Sequence, residues 1–161
     1  MQNAIIEESI KSLRSEGLRF SVDTLAEKLK TSKKTIYKYF PTKEALALAM
    51  YEQYYLAASN RAKALLKENG RNIRADLLRL YFDSKTMIRS EVFNKYKLNS
   101  VIRAYADEQN DALWATISAA FGIQTENEGC ALRVIVDGTL EKLCDTHTNP
   151  DNVLERLVKF L

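Results

Sequence analysis

The sequence predicts an all-α protein, and three observations carry that reading. Apolar residues return at three- and four-residue spacing along most of the chain, no segment alternates as a strand would, and turn-forming residues are sparse. Five Gly and two Pro in 161 residues are too few to turn an all-β chain of that length. A composition of 46% hydrophobic and 28% charged residues belongs to a folded chain rather than a disordered one. The length suits one compact domain, or a small domain fused to a larger one through a shared helix.

Taken in order, residues 4–16 form an amphipathic helix with Ile6, Ile10 and Leu13 on one face, Asn3 as its cap and Gly17 just past its end. Ser21 caps a second helix, where Val22, Leu25, Ala26 and Leu29 share a face and Phe20 can staple to Leu25. After a break at Lys30-Thr31-Ser32, Ser32 caps a third helix from Lys33 to Tyr39. Pro41 drives Phe40 out of the helical region and ends it. Thr42 caps a long fourth helix, 43–68, that stops at Asn69-Gly70. On it Leu46, Met50, Tyr54 and Ala57 make one stripe, and Ala58, Ala62 and Leu65 another. Further helices are expected at 72–89, 91–104, 107–121, 126–145 and 151–161.

Charge is unevenly placed. Residues 1–43 hold nine Lys/Arg against five Asp/Glu, whereas 44–161 hold fifteen against sixteen, so the basic excess sits at the N-terminal end. Lys30, Lys33, Lys34, Lys38 and Lys43 fall in a stretch without one acid. Two helices joined by a three-residue turn make the helix-turn-helix layout, whose later helix enters the DNA major groove. Ile36 and Phe40, four apart, can pack on Leu25, Leu29 and Ile10, leaving Lys33, Lys34, Thr35, Tyr37 and Lys38 outside. Lysine suits phosphate oxygens or guanine O6/N7, Thr35 a thymine methyl or a phosphate, and tyrosine hydroxyls a phosphate. The helix starts at Ser21, Ser32 and Thr42 add N–H groups that favour phosphate. A lysine-rich solvated face is the plain alternative for any one of these residues. The agreement of turn length, caps, proline stop and polarity weighs against it for the set.

The run Thr35-Ile36-Tyr37-Lys38-Tyr39-Phe40-Pro41-Thr42-Lys43-Glu44-Ala45-Leu46 resembles the N-terminal domain of the TetR family of bacterial transcriptional regulators. The resemblance covers about the first 50 residues; the rest agrees only in being helical. It implies that Lys33, Lys34 and Thr35 take the family's base-reading positions and that Tyr37 and Tyr39 touch the phosphate backbone. It further implies that Lys43, with Thr42 beside it, grips a phosphate, and that Ser21 meets the backbone. Two residues depart from the pattern: Lys30 stands where the turn usually has glycine, and Thr31 where it usually has valine. A lysine in the left-handed conformation costs up to ~1–2 kcal/mol, so some remodelling of the turn is expected.

The resemblance also implies a division into a helix-turn-helix DNA-binding domain, 1–45, and a helical regulatory and dimerisation domain, 46–161. The long fourth helix joins the two. In the second part, residues 130–144 are apolar on more than one face, with Ala131, Val134 and Ile135 on one and Leu132, Val136, Leu140 and Leu143 on others. A helix apolar around most of its girth is sandwiched within one chain or between two; Leu132, Val136, Leu140 and Leu143 are the candidate dimer contacts. Tyr81, Phe82, Phe93, Tyr96, Tyr105 and Trp114 are candidate linings of an inducer pocket, with a packed core as their plainer reading.

No Gly-rich phosphate loop, metalloprotease helix or carboxylate pair marks an enzyme, and no cofactor is expected. Cys144 and His147 form a lone C-x-x-H without further metal ligands, and Cys130 and Cys144 read as reduced thiols. With no secretion signal and no long apolar run, a cytoplasmic protein away from membranes is expected. The expected function is a homodimeric regulator binding a palindromic double-stranded DNA operator, a repressor responsive to a small-molecule inducer. The rival is an adaptor that keeps the fold but binds another protein.

Overall fold

A computed structural model describes residues 1–16, 21–89, 99–146 and 148–161. Every regular element among them is helical: α1 Gln2–Glu16, α2 Val22–Lys28, α3 Lys33–Tyr39, α4 Lys43–Glu68, α5 Ile73–Met87, α6 Ser100–Ser118, α7 Glu126–Thr146 and α8 Pro150–Leu157. A short 3-10 turn, Ala119–Phe121, follows α6 and closes on Gly122 in the left-handed region at φ 67. α4 runs over the expected residues. The expected break near residues 105–106 is absent, because neither Gly nor Pro interrupts the stretch and α6 runs straight through it. Asn3 lies within α1 rather than capping it. Gly17 and Phe20 lie outside the described residues.

Local chemistry sets the helix starts. Ser21 Oγ accepts the Thr24 N–H at 3.2 Å, Ser32 Oγ the Thr35 N–H at 3.1 Å, and Thr42 Oγ1 the Ala45 N–H at 3.1 Å. Asn99 and Asn149 serve α6 and α8 in the same way. Thr125 caps α7 by accepting the Glu128 N–H, and Glu128 reaches back to the Thr125 and Gln124 N–H groups in a reciprocal box. Phe40, held extended ahead of Pro41 at φ −129 and ψ 94, ends α3 as expected.

The chain divides into two compact units, one of Met1–Ala57 with Met87–Gln109, the other of Ala58–Thr86 with Asn110–Leu161. In the first, Ile5, Ile6, Leu25, Ala26, Ile36, Phe40 and Leu46 form one apolar cluster, with Ile10 and Leu29 packed against it. This joins α1, α2, α3 and the start of α4. α3 spans only seven residues, well short of the ~12–15 at which an isolated helix becomes marginal, so its position comes from this packing. Ser9 and Ser12, both fully buried on α1, extend that face beyond the residues hydrophobic spacing marks. The Tyr51 hydroxyl donates to the carbonyl of Met87 at 2.7 Å, satisfying an otherwise orphaned carbonyl at the end of α5. Burial pushes that phenol up from its ordinary value, so it stays a neutral donor.

The second unit buries Leu77, Leu78 and Tyr81 of α5, Trp114 and Ile117 of α6, and Leu154 of α8. Tyr81 and Trp114 pack with ring centroids 4.9 Å apart and planes tilted by 46°. Polar contacts thread the same place. Ser84 Oγ lies 2.8 Å from Asn110 Oδ1, and the Tyr81 hydroxyl donates to Asp137 at 2.9 Å. Ser84 and Asn110 are almost wholly buried, so this pair is satisfied internally rather than by water. Arg133 and Lys85 balance the Asp137 carboxylate at its outer side. Arg79 pins α8 by contacting Asp151 and Glu155 as well as Asp76.

The turn between α2 and α3 keeps its left-handed residue, with Lys30 at φ 49. The Lys30 N–H bonds the Glu27 carbonyl at 3.0 Å and the Thr31 N–H bonds the Ala26 carbonyl at 2.9 Å, the paired bonds that close many helices on a glycine. Lysine therefore adopts the glycine geometry and bears its strain. Lys30→Gly is expected to stabilise the N-terminal unit by about 1 kcal/mol, the relief being offset in part by glycine's greater freedom when unfolded. Urea unfolding with the midpoint compared at constant slope checks it; an unchanged or lower midpoint would show that the turn is not strained.

Candidate nucleic-acid interface

α3 buries one narrow stripe and shows the rest. Ile36 is fully buried and Phe40 nearly so, whereas Lys33, Lys34 and Lys38 are exposed and Tyr37 and Tyr39 are 37% and 40% exposed. Thr35 is half-buried, its hydroxyl 2.9 Å from Ser32 Oγ. Ser21 and Thr24 repeat that hydroxyl pair at the start of α2. Pro41, Thr42 and Lys43 follow as an exposed corner that opens α4. The Thr42 hydroxyl accepts the Ala45 N–H and keeps its own hydrogen to donate. α4 is 26 residues long, so its N-terminal dipole adds positive potential beside Lys43. The resulting surface is cationic and rich in hydroxyl donors on a rigid apolar base, which suits a phosphate-bearing polymer with readable edges.

Residues 5–50 match the family model described as bacterial regulatory proteins, tetR family. Over these residues the chain is similar to the TetR family's N-terminal domain. The TetR-type segment spans α1, α2, α3 and the first turns of α4, the elements tied by the apolar cluster. The chain is also 35% identical over 54 residues to an uncharacterized HTH-type transcriptional regulator, YvaF, of Bacillus subtilis (strain 168). That alignment covers 34% of this chain and 28% of the relative, so the chain spans under a third of the relative it matches. No solved structure matches the chain significantly.

Within the TetR-type segment, all nine residues expected to meet DNA lie at the capped starts of α2, α3 and α4 or on the outer face of α3. Sequence reasoning missed Asp23, whose carboxylate contacts the Lys33 ammonium from α2. The signal was present in its position, in the first turn of α2 across the turn from the lysine run. It also missed that Lys28, an exposed residue, reaches across to α1, bonding Ser12 Oγ at 3.0 Å and lying 3.7 Å from Glu8. Lys28 thereby ties α2 to α1.

Beyond the TetR-type segment the expected sites fare differently. Leu132, Val136, Leu140 and Leu143 are buried inside the chain's own second unit. These four, expected as dimer contacts, point into the single chain's own packing, and the opposite side of α7 is exposed. That side carries Val134 and Ile135 at 73% and 47% exposure, with Ala131 and Gly138. Tyr81, Phe82 and Trp114 fall in the second unit and Tyr105 in the first; Phe93 and Tyr96 lie outside the described residues. Tyr81 and Trp114 pack against each other and the Tyr81 hydroxyl bonds Asp137, and burial with the neighbouring carboxylate pushes the Tyr81 phenol up. Cys130 is exposed and Cys144 half-buried, both as free thiols, and His147 lies outside the described residues. Among the described residues no helix is long and apolar enough to cross a membrane.

Proposed function

We propose that the chain is a sequence-specific DNA-binding transcriptional regulator, with residues 1–45 as its reading head and 46–161 as a regulatory and dimerisation part. The observation that carries this reading is the division of α3 into a buried Ile36–Phe40 stripe and an exposed Lys33, Lys34, Tyr37, Tyr39 surface. Lys33, Lys34 and Thr35 contact base edges; Ser21, Ser32, Tyr37, Tyr39, Thr42 and Lys43 hold the phosphates. Two copies bind a palindromic operator, because two identical heads reading one duplex require two-fold symmetry. The unpartnered Val134–Ile135 side of α7 is the surface through which the copies meet. The regulator acts as a repressor in the cytoplasm. A small-molecule inducer held in the second unit favours the dimer geometry that cannot span both half-sites, so its binding lowers operator affinity by the same factor that DNA lowers inducer affinity.

Selection of bound duplexes from a random pool at physiological salt tests this directly, with the mass in solution measured alongside. A recovered palindrome and a dimeric mass are expected; indifference among duplexes would sink the reading. Lys43→Ala is expected to weaken every duplex alike and to reduce the slope of log K against log salt by ~1. A change confined to one sequence would instead make Lys43 a base reader. Lys33 and Thr35 substitutions, in contrast, are expected to shift base preference.

A further inference from the structure

We infer that Asp23 is a specificity-determining residue of this surface: its carboxylate holds Lys33 in check except where DNA offers that lysine a better acceptor. The inference rests on the DNA-binding reading above. Lys33 opens α3, where the positive end of the helix dipole disfavours a cation. Asp23 sits in the first turn of α2, and the two side chains meet across the turn while staying 52% and 64% exposed. A pair this exposed is weakly held and exchangeable. Phosphate oxygens alone offer Lys33 little advantage over the carboxylate it already has, and the uncompensated Asp23 then faces the polyanion. A guanine O6/N7 pair, reached only when the correct sequence lies against α3, offers a directed replacement. Discrimination needs an element that opposes wrong partners as well as one that rewards the right one. Asp23 supplies the first and Lys33 the second.

The test compares wild type, Asp23→Asn, Lys33→Ala and the double variant, all as the full chain. Each is titrated against the duplex selected by wild type and a random-sequence duplex of equal length, over a range of salt. Asp23→Asn is expected to bind the random duplex about three- to fivefold more tightly. Its salt slope there should steepen by ~1 as a freed Lys33 engages phosphate. On the selected duplex, where Lys33 already contacts DNA, the slope stays unchanged, so the preference ratio narrows. In the Lys33→Ala background, Asp23→Asn leaves the random-duplex slope unaltered. Equal steepening on both duplexes, or persistence of the effect without Lys33, would reduce Asp23 to a general repulsive charge and overturn the inference. No change on either duplex overturns it too. Wild type that prefers no duplex removes the DNA-binding reading and this inference together, which separates the two failures.

Discussion

Ile36→Ala is expected to destabilise the N-terminal unit by about 3 kcal/mol and to abolish recovery of any preferred duplex. Ile36 has no exposed surface, and with Phe40 it anchors a seven-residue helix that packing alone holds in place. The lost transfer energy and the cavity left between α1, α2 and α3 add together. Exposed neighbours give the contrast, since Lys34→Ala should move stability by less than about 0.5 kcal/mol. Urea unfolding of both variants checks the pair. A loss below about 1 kcal/mol for Ile36→Ala would mean that α3 is positioned by something other than its buried stripe.

In the second unit Asn110→Ala is expected to cost about 2–3 kcal/mol. Asn110 is almost wholly buried, and its side-chain oxygen accepts from the Ser84 hydroxyl at 2.8 Å. Its removal opens a small cavity beside the Ser84 hydroxyl. The Ser84 hydroxyl retains the Tyr81 carbonyl at 2.7 Å, which sets an upper bound on the damage at that end. Thermal unfolding of Asn110→Ala beside Asn110→Asp checks it; an unperturbed Asn110→Ala would show the contact to be dispensable.

Much of the N-terminal end was legible because its determinants are local. Ser21, Ser32 and Thr42 cap helices three residues downstream, Pro41 acts on Phe40, and Ile36 and Phe40 are one turn apart. Short-range rules reach such features directly. The second unit was less legible because its choices are made at long range. Spacing marks two apolar sides on α7 but cannot say which one the same chain will cover; packing put Leu132 and Val136 inward and Val134 and Ile135 outward. The Arg79 contacts to Asp151 and Glu155 span more than 70 residues, at separations of 72 and 76. Asp23 is an intermediate case. Its distance from Lys33 along the chain is short, yet the contact exists only because the strained turn at Lys30 folds the two helix starts together.

The helix starts share a further property. Ser21, Ser32, Thr42, Asn99, Thr125 and Asn149 all supply their capping oxygen from a hydroxyl or an amide. Aspartate would cap as well but would carry a proton at low pH and a negative charge at neutral pH. Hydroxyl and amide caps do neither. Acidification therefore leaves these oxygens as acceptors. The caps of α2, α3 and α4 add no charge of their own, and the charge of this proposed DNA surface comes from Lys33, Lys34, Lys38 and Lys43, set against Asp23 and Glu44 in the first turns of α2 and α4.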